Sequence, residues 1–142
     1  MEVNIRQAAA GDFEAVKKIT QDTILAVYPK YYPSGAVRFF SEHHADEKII
    51  RDINAGIVYV VVTDDGVLAG TVTLTDNEVD RLFVLPEFQG RGYGRELLLW
   101  GINHIRENNE NSITLHVAEW NQGACKLYKS VGFKVINKER IK

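Results

Sequence analysis

The fold is decided by one stretch of the sequence, Leu82-Phe83-Val84-Leu85-Pro86-Glu87-Phe88-Gln89-Gly90-Arg91-Gly92-Tyr93-Gly94-Arg95. It predicts a strand that ends at a proline, a glycine-rich turn and the beginning of a helix. The glycines let the backbone turn tightly and approach a ligand without a clash at Cβ. The amide N–H groups of such a turn and of a helix N-terminus point at one spot, where they form a site for a phosphate or pyrophosphate. Arg91 and Arg95 can add charge-assisted hydrogen bonds there.

The spacing of these glycines fits neither of the two familiar nucleotide loops. A P-loop requires a Lys-Ser/Thr pair after its last glycine, and none follows Gly94. A dinucleotide-binding turn has the pattern G-x-G-x-x-G, whereas the run here is G-x-G-x-G. The glycines alone therefore leave two interpretations open: a phosphate site of another kind, or a helix start that binds no ligand.

The segments before this stretch show helix and strand patterns in turn. Gly11-Asp12 opens a helix, with Asp12 as the expected N-cap, and this helix should end near Pro29. A second helical pattern covers about 34–55. Strands are expected at 3–6, 57–63, 67–75 and 78–85, and turn signals at 64–66 and 76–77 join the last three into antiparallel hairpins.

The segments after this stretch complete an alternating pattern. The helix that begins there carries one apolar face, which must cover a sheet. A strand is expected at 112–118, a helix from Asn121 through Val131 with Gly132 at its C′ position, and a final strand at 133–138. The order β-α-α-β-β-β-α-β-α-β predicts one domain over 1–142, a mixed α/β (α+β) sheet with helices on its faces.

Composition excludes several classes of protein. The chain has 142 residues, of which 45% are hydrophobic and 25% charged, which is typical of a globular domain. A net charge of −2 argues against a nucleic-acid binder. Cys125 is the only cysteine, so an internal disulfide is impossible. No apolar run approaches the roughly 18 residues that span a bilayer, and the first residues lack a signal-peptide pattern. We expect a cytoplasmic protein without a membrane partner.

The chain resembles the GNAT superfamily of acetyltransferases in several motifs. Gln89 to Gly94 match that family's Q/R-x-x-G-x-G/A signature, and the strand and turn before them are similar too. Further matches follow at Leu115-His116-Val117, Asn121, Ala124, Leu127-Tyr128 and Gly132-Phe133, and the element order agrees along nearly the whole chain. The resemblance implies a mixed, mostly antiparallel central sheet of about six strands flanked by four helices.

The end of the chain departs from the family pattern. Many members have two strands after the last helix, but only nine residues follow Phe133, which is enough for one. The usual last strand is therefore expected to be missing, so that either the strand at 133–138 closes directly on the strand at 112–118, or the sheet stays open there. An open sheet edge at that place invites pairing with another chain, so we expect a homodimer there.

The resemblance also implies acetyl-CoA as the cofactor. The signature loop would cradle the coenzyme A pyrophosphate with backbone N–H groups, and the pantetheine arm would pair with backbone around Phe83 and Val84. One N–H there would stabilise the oxyanion that forms under attack by the amine. Asn121 aligns with an asparagine that contacts the arm, although it is also a plausible N-cap. The expected cofactor-binding residues are Leu82, Phe83, Val84, Gln89, Gly90, Arg91, Gly92, Tyr93, Gly94, Arg95, Asn121, Ala124 and Tyr128.

The resemblance supplies candidate catalytic residues. Tyr128 aligns with the tyrosine that protonates the leaving thiolate. A phenol with a pKa of about 10 stays protonated at neutral pH and can serve a thiolate with a pKa of about 8.5. The alternative is that Tyr128 only packs against the sheet. Glu78 and Asp80 lie two apart on one strand face, so either can act as general base, or both form a solvated charged face. His116 on the adjacent strand is either a further candidate or structural.

The aromatic loop at 28–34 and the helical segment at 34–55 should define the acceptor pocket. Tyr28, Tyr31 and Tyr32, with His116, are the expected substrate-binding residues, and several aromatic side chains there can equally belong to the core. Adjacent histidines such as His43-His44 tend to point apart and no cysteine or spaced carboxylates accompany them, so no metal site is predicted.

The predicted function is N-acetylation. An acetyl group would move from acetyl-CoA to a primary amine of a small molecule or peptide by direct transfer. A catalytically silent acyl-CoA-binding module on the same fold is the alternative, and Tyr128 favours the enzyme. A third interpretation is a phosphate-binding module for another nucleotide.

Overall fold

A mixed sheet with helices on both faces organises the protein. The computed structural model describes residues 3–27, 46–108, 112–115 and 122–135. Its strands are β1 (Asn4–Gln7), β2 (Val58–Val62), β3 (Leu68–Thr75), β4 (Glu78–Val84) and β5 (Thr114–Leu115). Its helices are α1 (Phe13–Val27), α2 (Asp46–Asn54), α3 (Tyr93–Glu107) and α4 (Gln122–Ser130). Short 3-10 turns occur at Ala10–Asp12, before α1, and at Pro86–Phe88, after β4.

The strands lie in the order β1-β2-β3-β4-β5, and all neighbours are antiparallel except β4 and β5, which are parallel. Tight turns join β2 to β3 and β3 to β4. In the first, Gly66 has a φ of 84° and its N–H donates to the Thr63 carbonyl over 2.9 Å. A parallel pair requires a crossover, which α3 provides. The glycine-rich segment that the sequence analysis singled out therefore begins this crossover at the carboxyl end of β4.

The two faces of the sheet are covered by different helices. On one face, α3 buries Leu97, Leu98, Ile102 and Ile105 against β2 and β3, and residues of α4 pack at the margin of the same cluster. Gly101 permits the close approach of α3, because a Cβ there would lie only 3.2 Å from a methyl group of Leu74. The other face is covered by α1 and α2, whose Val16, Ile49 and Ile53 pack with Val58 and Val60. Each such side chain contributes about 1.5–3 kcal/mol by burial.

The predicted fold class is confirmed: the sheet is mixed and mostly antiparallel, and four helices flank it within the described residues. The described part of the second helical pattern is α2, and 34–45 lie outside the described residues. The strand expected at 112–118 is present as β5, and 116–118 are likewise outside. No helix in the described ranges is long and apolar enough to cross a membrane.

The register between β3 and β4 contains a bulge. Thr71 pairs with Phe83, but Thr73 pairs with Asp80, so β4 has one residue more than β3 between these pairs. Arg81 lies in this interval with a φ of 43°, in the left-handed region that bulges use. The sequence predicted a regular strand over 78–85 and did not predict this bulge.

The bulge changes which side chains of β4 share a face. Val79 before it and Leu82 after it both pack in the cluster under α3, although they lie three residues apart. In a regular strand, side chains three apart point to opposite faces. Asp80 and Arg81, although adjacent, both face α2, where the Arg81 guanidinium forms an ion pair with Asp52. The bulge thus keeps the apolar side chains on both sides of it on the face under α3, and it places Asp80 and Arg81 together on the face toward α2.

The role predicted for Asp12 is wrong. The helical segment begins one turn earlier, at Ala10, and Ala9 is its N-cap. Asp12 is the third residue of this segment, and its carboxylate accepts the Ala9 N–H over 2.7 Å. It also forms two hydrogen bonds with the Arg6 guanidinium, of 2.7 and 3.0 Å, which hold the pKa of Asp12 below its ordinary value. The carboxylate therefore caps the helix from inside its first turn, as in a capping box.

The helix α4 ends as predicted, but the strand expected after it does not begin at once. Gly132, at C′, has a φ of 104° and its N–H donates to the Lys129 carbonyl. The Phe133 N–H donates to the Tyr128 carbonyl over 3.1 Å, which completes a Schellman motif. Since this bond closes the helix, that amide joins no sheet, and residues 133–135 form no strand. The remainder of the predicted strand, 136–138, lies outside the described residues, and the homodimer expected at that edge stays a prediction.

Candidate active site

The glycine turn, defined as Gln89 to Arg95, is held against the carboxyl end of β4. The Leu85 N–H donates to Ala69 on β3, and the 3-10 turn that follows reverses the chain. The Gln89 side chain reaches back and donates its Nε2 to the Val84 carbonyl over 3.0 Å. The Thr23 hydroxyl of α1 donates to the same carbonyl over 3.2 Å. The turn is therefore fixed to the strand by its own glutamine, and α1 is fixed to the same point.

From Gly90 onward, the amides of the glycine turn have no acceptor among the described residues. Gly90 and Gly92 have φ values of 78° and 90°, in the region that favours glycine. Gly92 is also the N-cap of α3 and has no side chain to cap it. The first hydrogen bond of α3 runs from the Glu96 N–H to the Gly92 carbonyl over 3.0 Å, and within the described ranges no amide from Gly90 to Arg95 has an acceptor. An exposed helix N-terminus of this kind attracts anions.

The two arginines of the turn have different surroundings. The Arg91 guanidinium lies over the Phe88 ring at 5.4 Å and forms no ion pair with a described residue. Arg95 donates to the Ser130 hydroxyl over 3.1 Å, and that hydroxyl donates to the Leu127 carbonyl over 2.6 Å. Arg95 therefore links the first turn of α3 to the last turn of α4. Arg91 forms no such side-chain hydrogen bond with a described residue. Both were predicted as phosphate ligands, and that role stays a prediction.

The helix α4 lies next to the glycine turn. A Cβ added to Gly94 would lie 3.8 Å from a methyl group of Leu127 and 3.6 Å from one of Val84. Tyr128 is the next residue of α4; it is half-buried, packs at the margin of the α3 cluster and meets the Phe133 ring edge-on at 6.1 Å. Ala124, one turn earlier, is half-buried as well. The structure thus brings the predicted acid into the neighbourhood of the turn.

The carboxyl half of β4 pairs on one side only, among the described strands. Leu82 and Val84 pack under α3, and Phe83 pairs with Thr71 of β3. On the other side, β5 pairs with β4 at Glu78 and Val79, where the described part of β5 ends. On the β5 side, the backbone from Asp80 to Val84 therefore has no described strand beside it. This segment includes Phe83 and Val84, around which the pantetheine arm was predicted to pair.

A groove lies on the opposite face, between α2 and the bulge. It has a volume of about 360 Å³, and we name it the charged groove from its lining residues Lys48, Asp52, Thr75, Asp80 and Arg81. Arg81 and Asp52 form an ion pair with side chains that are 16% and 15% exposed. Burial lowers the pKa of Arg81 from its ordinary value. The candidate base Asp80 lies in this groove, and Glu78 occupies the same face two residues earlier.

Several predicted site residues cannot be placed. Tyr28, Tyr31, Tyr32, His116 and Asn121 lie outside the described residues. In the described ranges, no group of three or more His, Cys, Asp or Glu side chains is arranged to hold a metal ion.

The sequence analysis did not find Arg81 and Asp52. Their ion pair depends on the bulge, and the one signal for it is the phase of the apolar residues in β4. Val79 lies at an odd position, whereas Leu82 and Val84 lie at even positions, which indicates one extra residue between them.

Comparison with known proteins agrees with this arrangement. Residues 22–133 match the model of the acetyltransferase (GNAT) family. A mycothiol acetyltransferase of Thermobifida fusca is 41% identical over 85 residues, which cover 57% of this chain and 25% of that protein. The peptidyl-lysine N-acetyltransferase YjaB of Salmonella typhimurium is 26% identical over 141 residues, 99% of this chain and 90% of that protein. The chain thus spans a quarter of the first relative and nine-tenths of the second.

The same fold occurs in a solved structure, the PaiA N-acetyltransferase from Thermoplasma acidophilum in complex with coenzyme A. Its TM-score is 0.87 at 20% sequence identity, over 98% of this chain and 94% of that one. The family model covers most of the chain and includes the glycine turn, β4 and α4. The chain is therefore a member of the acetyltransferase (GNAT) family, as its sequence motifs predicted.

Proposed function

We propose that this protein transfers an acetyl group from acetyl-CoA directly to a primary amine of a small molecule or peptide. One observation carries the proposal: amides without a described acceptor, from Gly90 to Arg95, lie at a helix N-terminus beside the end of β4. The relatives support the choice of reaction, since one is named for acetylation of lysine in peptides and another for acetylation of mycothiol.

The residues present fit coenzyme A. The amides of the glycine turn are donors for the diphosphate oxygens, and the Arg91 guanidinium beside them supplies a positive charge. The backbone of β4 from Asp80 to Val84 would supply donors and acceptors for the amides of the pantetheine arm. When bound, the coenzyme supplies the activated acetyl thioester.

The protein's own side chains then accept and donate the protons of the reaction. The attacking amine must lose a proton, and Glu78 or Asp80 on β4 accepts it, directly or through water. The new bond joins the amine nitrogen to the acetyl carbon while the bond from that carbon to sulfur breaks. Tyr128 donates its hydroxyl proton to the departing thiolate, and solvent restores the proton to the phenol. A backbone N–H of β4 near Phe83 stabilises the negative charge that develops on the acetyl oxygen.

The role of Tyr128 gives the sharpest test of the enzyme. Tyr128→Phe removes only the hydroxyl, so we expect kcat to fall tenfold or more, as is usual for a lost general acid, while KM for acetyl-CoA changes little. Release of free thiol from acetyl-CoA, measured with a panel of primary amines, checks this. The matched control is Tyr59→Phe on β2, which removes a hydroxyl that contacts His104 at 3.2 Å, away from the site.

Two results would contradict the proposal. If Tyr128→Phe and Tyr59→Phe have the same kcat, the phenol is not the acid. If the unmodified protein binds acetyl-CoA but releases no thiol with any amine, the silent acyl-CoA-binding module predicted as the alternative replaces the enzyme.

A further inference from the structure

The charged groove has two walls, and each wall carries one acid and one base. The α2 wall contributes Lys48 and Asp52, which lie one helical turn apart and so share a face of the helix. The β4 wall contributes Asp80 and Arg81, which the bulge places on the same face. The volume of about 360 Å³ is at the small end of the range for ligand pockets and suits a molecule of amino-acid size.

Only one pair among the four charged side chains of the groove forms an ion pair. Arg81 and Asp52 neutralise each other across the groove and tie α2 to β4. Lys48 and Asp80 form no ion pair within 4.0 Å with any residue that the structure describes. The groove therefore presents one unmatched positive charge on its helix wall and one unmatched negative charge on its strand wall.

This charge pattern discriminates between kinds of amine. A simple monoamine satisfies Asp80 but leaves Lys48 unmatched and adds net positive charge to the groove. A polyamine brings a second cation close to Lys48 and Arg81, which is unfavourable. A molecule with one ammonium and one carboxylate satisfies both open positions and leaves the groove neutral.

We infer that the acceptor is a zwitterion, a free amino acid or short peptide with its own carboxylate, held by Asp80 at the ammonium and by Lys48 at the carboxylate. This inference rests on the proposed acetyl transfer and names its substrate class. Asp80 lies two residues before Leu82 on β4, at the start of the bulge. An acceptor amine at Asp80 is thus next to the segment of β4 that is proposed to carry the thioester.

The experiment compares acceptors that differ only in the carboxylate. L-lysine, L-lysinamide and 1,5-diaminopentane form one set, and each other standard amino acid is paired with its amide. Thiol release from acetyl-CoA gives kcat/KM for each. We expect the best free acid to exceed its amide by about tenfold or more, which is typical of one lost charge-assisted hydrogen bond.

A variant assigns the preference to the groove. Lys48→Gln should raise KM for the free acid about tenfold, change the value for its amide by less than about twofold, and so abolish the discrimination. Arg51→Gln is the matched control, because Arg51 is an exposed residue of the same helix that does not line the groove. It removes the same charge from α2 and should leave both values unchanged. The thermal unfolding midpoints of the two variants confirm that both are folded.

The outcomes separate this inference from the function on which it rests. If amides and 1,5-diaminopentane react as well as the free acids, or if Lys48→Gln affects acid and amide equally, the zwitterion is refuted and acetyl transfer stands. If acetyl-CoA binds and no amine in any form reacts, both the transfer and the acceptor class are refuted.

Discussion

The glycine turn and the charged groove lie at the two ends of one strand segment, and they are built in different ways. The turn consists of consecutive residues, and the groups it offers a ligand are backbone amides. The groove consists of side chains from α2, β3 and β4, and its ion pair joins residues 29 apart in the chain. A backbone site depends on glycine conformation, whereas a side-chain site depends on tertiary packing. Substitutions should therefore affect the two sites through different quantities, binding in the first and stability in the second.

The largest effect should come from breaking the ion pair of the groove. Asp52→Asn removes the ion-pair partner of the mostly buried Arg81 guanidinium, so we expect the free energy of unfolding to fall by about 2 kcal/mol. Urea unfolding measures this value. The matched control is Asp22→Asn, which removes the same charge from an exposed pair with Lys18 and should cause no measurable loss. Equal stability of the two variants would show that the pair does not hold α2 to β4.

These two sites also differ in how far the sequence predicts them. The turn was predicted together with its residues, because glycine spacing acts on local backbone conformation and needs no knowledge of the rest of the fold. Gly132 was predicted at the end of α4 for the same reason. The predicted fold class followed from the alternation of apolar patterns, which also reports local structure.

The groove itself was not predicted from the sequence. Asp80 was identified as a candidate base, but Arg81 and its partner Asp52 were not, because a charged residue in a half-polar strand is also typical of a solvated face. Their pairing depends on the bulge and on the docking of α2, and both are decided by tertiary packing. The odd-to-even change of phase between Val79 and Leu82 is the one local trace of that event.

An intermediate effect is expected within the glycine turn, where one glycine has a left-handed backbone conformation and another has room for a side chain. Gly92 has a φ of 90°, so Gly92→Ala should strain the turn by about 1–2 kcal/mol and raise the dissociation constant of coenzyme A about tenfold. Gly94 lies in the helix, and an added Cβ would meet its neighbours at ordinary distances of 3.6 and 3.8 Å. Gly94→Ala should therefore bind coenzyme A within about twofold of the original protein.

Calorimetric titration with coenzyme A measures both glycine variants. A loss of affinity in Gly94→Ala with none in Gly92→Ala would mean that the amides of the turn are not positioned by its left-handed residue. The proposed diphosphate site would then have to be abandoned, although the groove would be unaffected.

The smallest effect should come from a third kind of interaction, an exposed ion pair between side chains that are close in the sequence. Arg6 and Asp12 are six residues apart, and their ion pair, in which the Arg6 side chain is 43% exposed, lowers the pKa of Asp12. A lowered folded-state pKa stabilises the protein above the unfolded value, near 3.8, and this stabilisation disappears as the pH falls through the folded value. Asp12→Asn should therefore cost at most about 1 kcal/mol at pH 7, and the difference from the original protein should vanish in acid.

Urea unfolding of both proteins between neutral pH and pH 2 tests this sign, and added salt should shrink the difference at pH 7, since an exposed pair is screened. A loss near pH 7 as large as that of Asp52→Asn would mean that burial is not what separates the groove from other ion pairs. A difference that persists unchanged in acid would instead assign the effect to the hydrogen bond that the Asp12 side chain accepts from the Ala9 N–H. An asparagine oxygen can replace that bond only in part. The pH dependence thus separates the contribution of the ion pair from that of the capping hydrogen bond at Asp12. In the groove, the comparison of each free acid with its amide likewise separates the effect of charge from the effect of size.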